Sequence, residues 1–228
     1  MMIISMLAFE DLGSDSWQKY GDLILKSESV FPEAIRTPGE EYVDTVRENG
    51  SIAKVALLDS QYVGNIFGYA LLPEDLASHG LHDVPQDAKV IYIFNVVVNP
   101  EYQGKGIGKQ LLWEFIRTAK DRGYDYIAGH FRQNGSLQLI KKLGAKEEGI
   151  YHNWENMGED CVACCLDIHS IQEPGTPQQK ATKNDTPATG LIQVPSQEQA
   201  IISTSPAPQL APELASQAIE PHGPAMHF

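Results

Sequence analysis

The sequence predicts a mixed α/β (α+β) domain built on one sheet, on three observations. Apolar runs and alternating segments interleave with segments of helical periodicity in the order β α α β β β α β α β β. The unbroken apolar stretch 90–98 passes through three glycines, Gly104, Gly106 and Gly108, into an amphipathic segment, which reads as strand, turn and helix in succession. The composition then changes near Ser170. Nine of the 14 prolines lie beyond it, Gln, Ser, Thr and Ala dominate, and no aromatic residue occurs until Phe228. Such a segment cannot bury enough apolar surface to offset its chain entropy. The expectation is a folded domain over 1–170, long enough for a real core, and a Pro/Gln/Ser-rich disordered or loosely ordered tail over 171–228.

The elements follow in order. Residues 2–9 read as a first strand. No basic residue precedes this apolar stretch and Glu10-Asp11 follow it, so it fits neither a signal peptide nor a membrane helix. Trp17, Tyr20, Leu23, Ile24 and Ser27 recur at helical spacing after Ser14 or Asp15 as N-cap, giving a helix over 15–30. Pro32 interrupts it. Pro38, Gly39 and the acids Glu40 and Glu41 open a second helix that ends near Asn49-Gly50. Residues 51–58 and 62–72 form a hairpin about Asp59-Ser60-Gln61. The polar connection 73–88 carries two prolines and the histidines His79 and His82. It is longer than most loops, which leaves it either a lid or substrate loop or a plain insertion. The strand 89–98 is apolar on both faces and hence central. Ile107, Leu111, Leu112, Phe115, Ile116 and Ala119 then mark one helical face, closed by Arg122-Gly123. A strand over 126–131, a short helix over 136–143 and strands over 149–154 and 161–168 complete the domain.

Charge and cysteines narrow the function. The formal net charge is −13. Lys180 and Lys183 against Glu173, Asp185, Glu198, Glu213 and Glu220 give the tail −3, leaving −10 on the folded part. An acidic domain argues against nucleic acid and anionic membranes as partners. It suits a cationic amine substrate, or simply solubility. Cys161, Cys164 and Cys165 have no second ligand pair at a zinc-site distance, so no metal is expected. Period-2 alternation puts Cys161 and Cys165 on one strand face and Cys164 on the other, as small core residues. The expected location is cytoplasmic.

The glycine run carries the chemistry. A strand followed by a glycine turn and a helix N-terminus aims backbone N–H groups and the positive end of a helix dipole at one point, where a phosphate belongs. A P-loop is excluded because Gln110 follows Gly108-Lys109, leaving no hydroxyl for magnesium. A dinucleotide fingerprint is excluded because Lys109 or Leu111 stands where its third glycine should be. What remains is Gln103-x-x-Gly106-x-Gly108, preceded by Val98-x-Pro100-x-Tyr102.

On that string the chain resembles the GNAT superfamily of acetyl-CoA-dependent N-acetyltransferases. The element order agrees over about 1–169, although the specific motifs lie within 90–154. The resemblance implies a central, mostly antiparallel mixed sheet of about seven strands flanked by about four helices. It implies acetyl-CoA as co-substrate, with the pantetheine arm along the backbone of Val96, Val97 and Val98, beside a bulge near 95–98. The pyrophosphate would lie on Gln103, Gly104, Lys105, Gly106, Ile107, Gly108 and Lys109, with Asn134 also at the cofactor. The implied reaction is direct attack on acetyl-CoA by a primary amine, either a protein N-terminus or a small amine.

Acetyl transfer needs a group to take the amine's proton and one to protonate the leaving thiolate. The family's usual acid is a Tyr that aligns with Ile140, so Ser136, Tyr151 or a water is left for that role. His130 stands where the similar ribosomal-protein alanine N-acetyltransferases place a catalytic Glu, and a His is a sound base near neutral pH. Those enzymes also share the string Phe94-Asn95-x-x-Val98-x-Pro100-x-Tyr102-Gln103. Glu28 and Glu33 sit where amine-binding residues are often found. Trp154, in the aromatic segment 151–154, lines either an acceptor pocket or the core. Loss of the usual Tyr leaves open a second class, a CoA-binding module without turnover. The oligomeric state, monomer or homodimer, and a protein partner for the tail stay open.

Overall fold

The structure is a computed structural model that describes residues 6–171, Met157 apart. Residues 172–228 of the expected tail and the start of the expected first strand lie outside the described residues.

Seven strands form one sheet in the order β1-β2-β3-β4-β5-β7-β6. They are β1 (Leu7–Asp11), β2 (Ile52–Leu58), β3 (Gln61–Leu71), β4 (Val90–Val98), β5 (Tyr126–Arg132), β6 (Lys146–Tyr151) and β7 (Cys161–Asp167). All neighbours are antiparallel except β4 and β5. The helices are α1 (Ser14–Ser27), α2 (Gly39–Arg47), α3 (Ile107–Asp121) and α4 (Gly135–Lys142). The predicted mixed α/β class and element order hold.

The two faces of the sheet are covered differently. Ile66, Ile91, Ile93 and Ile127 pack on one face against Leu111, Phe115 and Ile116 of α3 and Leu137 and Ile140 of α4. On the other face Val55, Leu57 and Phe67 meet Tyr20 and Ile24 of α1 and Tyr42 of α2. Farther along that face, Leu76, Leu81 and Val84 of the β3–β4 connection cover Tyr92, Ala128 and Cys165. The connection is therefore anchored by its own apolar side chains rather than looping free. Cys161, Cys164 and Cys165 are all buried and unpaired, with Cys164 and Cys165 in cores on opposite faces, as the alternation predicts.

Three differences from the sequence reading bear on the site; elsewhere the N-cap of α1 is Gly13 rather than Ser14 or Asp15, and β1 runs on to Asp11. Helix α1 stops at Ser27, and residues 28–30 tighten into a 3₁₀ turn. The irregularity in β4 lies one residue earlier than expected. Phe67 pairs with Asn95 and Gly68 with Ile93, so Phe94 is the extra residue. The bulge lets consecutive side chains face the same way: Phe94 packs on Phe67 and Tyr69, and Asn95 bonds within the same layer. Strand β6 begins at Lys146 and ends at Tyr151, so Trp154 sits in a 3₁₀ turn and not in a strand. Its exit is fixed by Asn153, at φ 50°, whose backbone N–H donates to Asp160 Oδ1 at 3.1 Å.

Candidate active site

The site begins where β4 and β5 part. Their parallel pairing runs from Val90↔Tyr126 to Ile93↔Gly129 and stops. Beyond it, 95–98 of β4 still pairs with β3, and 130–132 of β5 with β7. Past the parting, no strand among the described residues pairs with the β4 edge that faces β5. Only alternate residues point their backbone groups that way: the Val97 carbonyl faces β3, so the groups of Val96 and Val98 face β5, where an extended polar chain could add as a strand would.

At the end of that edge the chain turns into α3. Gln103 Nε2 donates to the Val98 carbonyl at 3.0 Å and ties the turn back to β4. Gly104 and Gly106 hold left-handed φ of 74° and 80°, which side-chain-bearing residues adopt only with strain. The first hydrogen bond at the start of α3 is Gln110 N–H to Gly106 C=O, 3.1 Å. Among the described residues no acceptor meets the N–H groups of 104–109. The first turn of α3 holds no acid, and Lys105 and Lys109 are exposed beside it. These N–H groups, the helix dipole and two cations fit a pyrophosphate.

His130 is the first residue of β5 past the parting. Its Nδ1 lies 2.6 Å from the Tyr92 hydroxyl. Trp154 stacks on its ring at 4.2 Å between centroids, and Tyr151 meets it edge-on at 4.7 Å. Its Nε2 is sealed from solvent and has no hydrogen-bond partner among the described residues. Burial, with a smaller contribution from nearby His79, pushes the imidazole pKa down to about 3. Burial also pushes the Tyr151 phenol up, so it stays protonated and can act as an acid. The Cys161 thiol on the same strand face is pushed up to about 11, first by burial, which leaves little thiolate at neutral pH.

The structure thus brings together three of the expected site residues, His130, Tyr151 and Trp154. It adds three that sequence reasoning missed: Tyr69, His79 and Tyr92. The His79 Nδ1 is 2.8 Å from the Asp75 carbonyl, which can only accept, so Nδ1 carries the proton. Nε2 then faces the Tyr69 hydroxyl at 3.4 Å. Tyr92 was legible in part, since it stands two residues before Phe94 in a strand otherwise aliphatic to that point. His79 carries no signal in the sequence beyond its place in a long polar connection.

Among the described residues, the other expected ones make no hydrogen bond to His130. Ser136 donates its hydroxyl to Asn134 Oδ1 at 2.7 Å, and its N–H to the same oxygen at 2.9 Å, so this pair caps α4. Ile140 is buried in the core against α3. Glu33 is exposed, in the turn Glu33–Ile35 that neighbours Trp154–Asn156. Glu28 is 4% exposed, and its carboxylate is already occupied. Oε1 accepts from Tyr42 at 2.6 Å and Asn95 at 2.8 Å, and Oε2 from the Thr37 N–H at 2.8 Å. Asn95 Oδ1 accepts in turn from Asn65 at 2.6 Å, and Asn65 from Tyr62. This buried chain ties the α1–α2 connection to the bulged part of β4. Among the described residues, no group of three His, Cys, Asp or Glu side chains is placed to hold a metal ion.

Comparison with known proteins agrees with this geometry. The profile of the acetyltransferase (GNAT) family matches residues 15–145. The chain belongs to that family. It is 25% identical over 165 residues to human N-acetyltransferase 8B, covering 70% of this chain and 60% of that protein. It is 35% identical over 63 residues to the [ribosomal protein bS18]-alanine N-acetyltransferase of Haemophilus influenzae, covering 27% of this chain and 43% of that enzyme. The chain therefore spans less than two thirds of the length of either relative. The crystal structure of Arabidopsis thaliana NAA60 in complex with acetyl-CoA superposes with a TM-score of 0.60 at 16% identity, covering 72% of this chain and 99% of that one. That likeness establishes the shared fold.

Proposed function

We propose that this protein transfers an acetyl group from acetyl-CoA to a primary amine, a protein N-terminus or a small amine, in a ternary complex. The observation that carries the reading is the parted β4–β5 edge leading into the acceptor-free N–H groups of 104–109. That arrangement suits a pantetheine arm and a pyrophosphate in one line. Direct attack is favoured over an acyl-cysteine intermediate because Cys161 is held as a thiol.

In the reaction the amine nitrogen bonds to the thioester carbonyl carbon and the C–S bond breaks. The amine loses a proton, and the thiolate gains one. His130 is the proposed proton acceptor, through Nε2 once the acceptor displaces the rings that seal it, with its Nδ1–H donated to the Tyr92 hydroxyl. With its pKa near 3 it is neutral at pH 7. It is too weak a base to strip a free ammonium, so it takes the proton once the nitrogen has begun to bond to carbon. An α-amino group, with pKa about 8, is roughly one tenth free base at pH 7, whereas an alkylamine near 10 is about one thousandth. That ratio favours an N-terminal acceptor. Tyr151 is the proposed acid; the hydroxyl of Ser136 is turned to Asn134. Its three buried, unpaired cysteines suit the reducing cytoplasm, where we place the protein.

Ile140, buried where the family's usual Tyr stands, favours a second reading, a CoA-binding module without turnover. Release of free thiol from acetyl-CoA against a panel of amines and peptides separates the two. Acceptor-dependent release is expected. Tight acetyl-CoA binding with no release for any acceptor would establish the module instead.

A further inference from the structure

Around the sealed His130 Nε2 lies a cluster of rings larger than the transfer chemistry requires: Tyr69, His79, Phe94 and Trp154 join the three rings given roles above. Tyr69, His79, Phe94, His130, Tyr151 and Trp154 are each half-buried rather than sealed in the core. They are contiguous through buried Tyr92: Tyr69 and Tyr92 are 5.4 Å apart, His79 and Tyr92 4.9 Å, Tyr92 and His130 5.8 Å, and Tyr151 and Trp154 5.3 Å. A contiguous, half-buried aromatic cluster on an acidic protein suits the binding of an apolar group.

The surface is held in place from three sides. His79 is fixed by the Asp75 carbonyl and Tyr69. Buried Gly80 packs on the Tyr151 hydroxyl so closely that an added Cβ would collide with it. Trp154 is set by its N–H to the Glu159 carbonyl at 3.1 Å. The ring cluster itself contains no carboxylate and no Lys or Arg. Arg132, at the end of β5, is closed in a two-pronged pair with Glu159 at 2.8 Å on each prong. The buried acid of the neighbouring layer, Glu28, is saturated by three donors. The remaining charges nearby lie on the rim. Glu33 is exposed, as are Glu41 and Glu48 on the Tyr69 side; Asp75 is half-buried, and Asp160 is bonded to His152 at 2.9 Å. A second cationic group on the acceptor would find no counter-charge among the rings, and a carboxylate would find no free cation.

We infer that the acceptor is a primary amine carried on an aromatic or bulky apolar group with no second charge beside it, and that these rings hold that group. This rests on the transfer reaction proposed above. Two sources share that chemistry, a peptide whose first residue is aromatic or large and aliphatic, and a free arylalkylamine.

The test measures kcat/KM at saturating acetyl-CoA for a Phe-initiated pentapeptide, the same peptide initiated by Asp, phenethylamine and spermidine. Calorimetric binding of each to the full chain loaded with CoA runs alongside. The Phe-peptide or phenethylamine is expected to exceed both charged acceptors by at least about tenfold, and His79→Ala and Trp154→Ala to shrink that ratio. Success of the peptide alone, or of phenethylamine alone, identifies the source. Preference for spermidine or the Asp-peptide overturns the inference and leaves the transfer reaction standing. Selective binding of the aromatic acceptors without turnover supports the aromatic site and overturns the transfer reaction. Neither binding nor turnover overturns both.

Discussion

At the scale of single residues, Gly106 and His130 carry the account. Gly106 sits at φ 80° in open space, so backbone conformation and not crowding demands glycine there. Gly106→Glu strains the turn and sets a negative charge against the pyrophosphate. Acetyl-CoA binding by calorimetry is expected to vanish; unchanged affinity would remove the loop from the site. His130→Ala is expected to lower kcat by on the order of 10²-fold, and a fall of less than about threefold would return His130 to a packing role. His130 also links stability to pH. Its pKa is about 3 when folded against 6.5 unfolded, so between those values the unfolded chain binds the extra proton. Its contribution is full above pH 6.5 and is lost as pH falls, by about 1.4 kcal/mol per unit. Urea unfolding at pH 6.5 and pH 5 should therefore show about 2 kcal/mol less stability at the lower pH from this group. His130→Gln should remove that share of the loss, and an equal slope in the variant would show the imidazole is not sealed.

At the scale of elements, the bulge at Phe94 joins two devices on one face of the sheet. Phe94 enters the aromatic cluster and Asn95 enters the polar chain that runs through Glu28 to Tyr42 and Thr37. Glu28 thereby closes the α1–α2 connection on itself and fastens it to β4. Glu28→Ala leaves the Tyr42 and Asn95 donors buried and unpaired, at a cost of about 3 kcal/mol or more. Chemical denaturation measures it, and a loss under about 1 kcal/mol would show that the connection re-forms around the gap.

Legibility in the sequence divides along the same line. Glycines, prolines and helical periodicity made the turn at 99–106 and the helix α3 readable, because they act through local backbone geometry. The role of Glu28 was not readable. Its partners lie 9, 14 and 67 residues away, and a carboxylate in a polar segment looks the same whether saturated or free. Tyr92 and His79 were missed for a related reason: they meet His130 only because parallel pairing sets Tyr92 opposite Ala128, two residues before it. Trp154 was misplaced in a strand because the left-handed Asn153 and its bond to Asp160 are tertiary in origin.

At the scale of the whole molecule, Ile168 is buried in the core just past β7, and Ile171, the last described residue, still packs against it. Truncation after Ile171 is expected to shift Tm by less than about 2 °C, within the change produced by a fraction of a kcal/mol. A larger fall in calorimetry would show that the segment beyond contributes to the folded unit. The sequence class and element order were legible because the sheet alternates covered faces and the helices are amphipathic. The division of one face between α1, α2 and the β3–β4 connection was not, since Leu76, Leu81 and Val84 lie scattered in a polar stretch. The most direct test of the whole is mass spectrometry of a primary-amine and peptide panel incubated with acetyl-CoA and the full chain, with Gly106→Glu and His130→Ala in parallel. The expected result is an acceptor heavier by one acetyl group, absent with the first variant and strongly reduced with the second. Intact binding of acetyl-CoA with no acetylated product from any acceptor would contradict it.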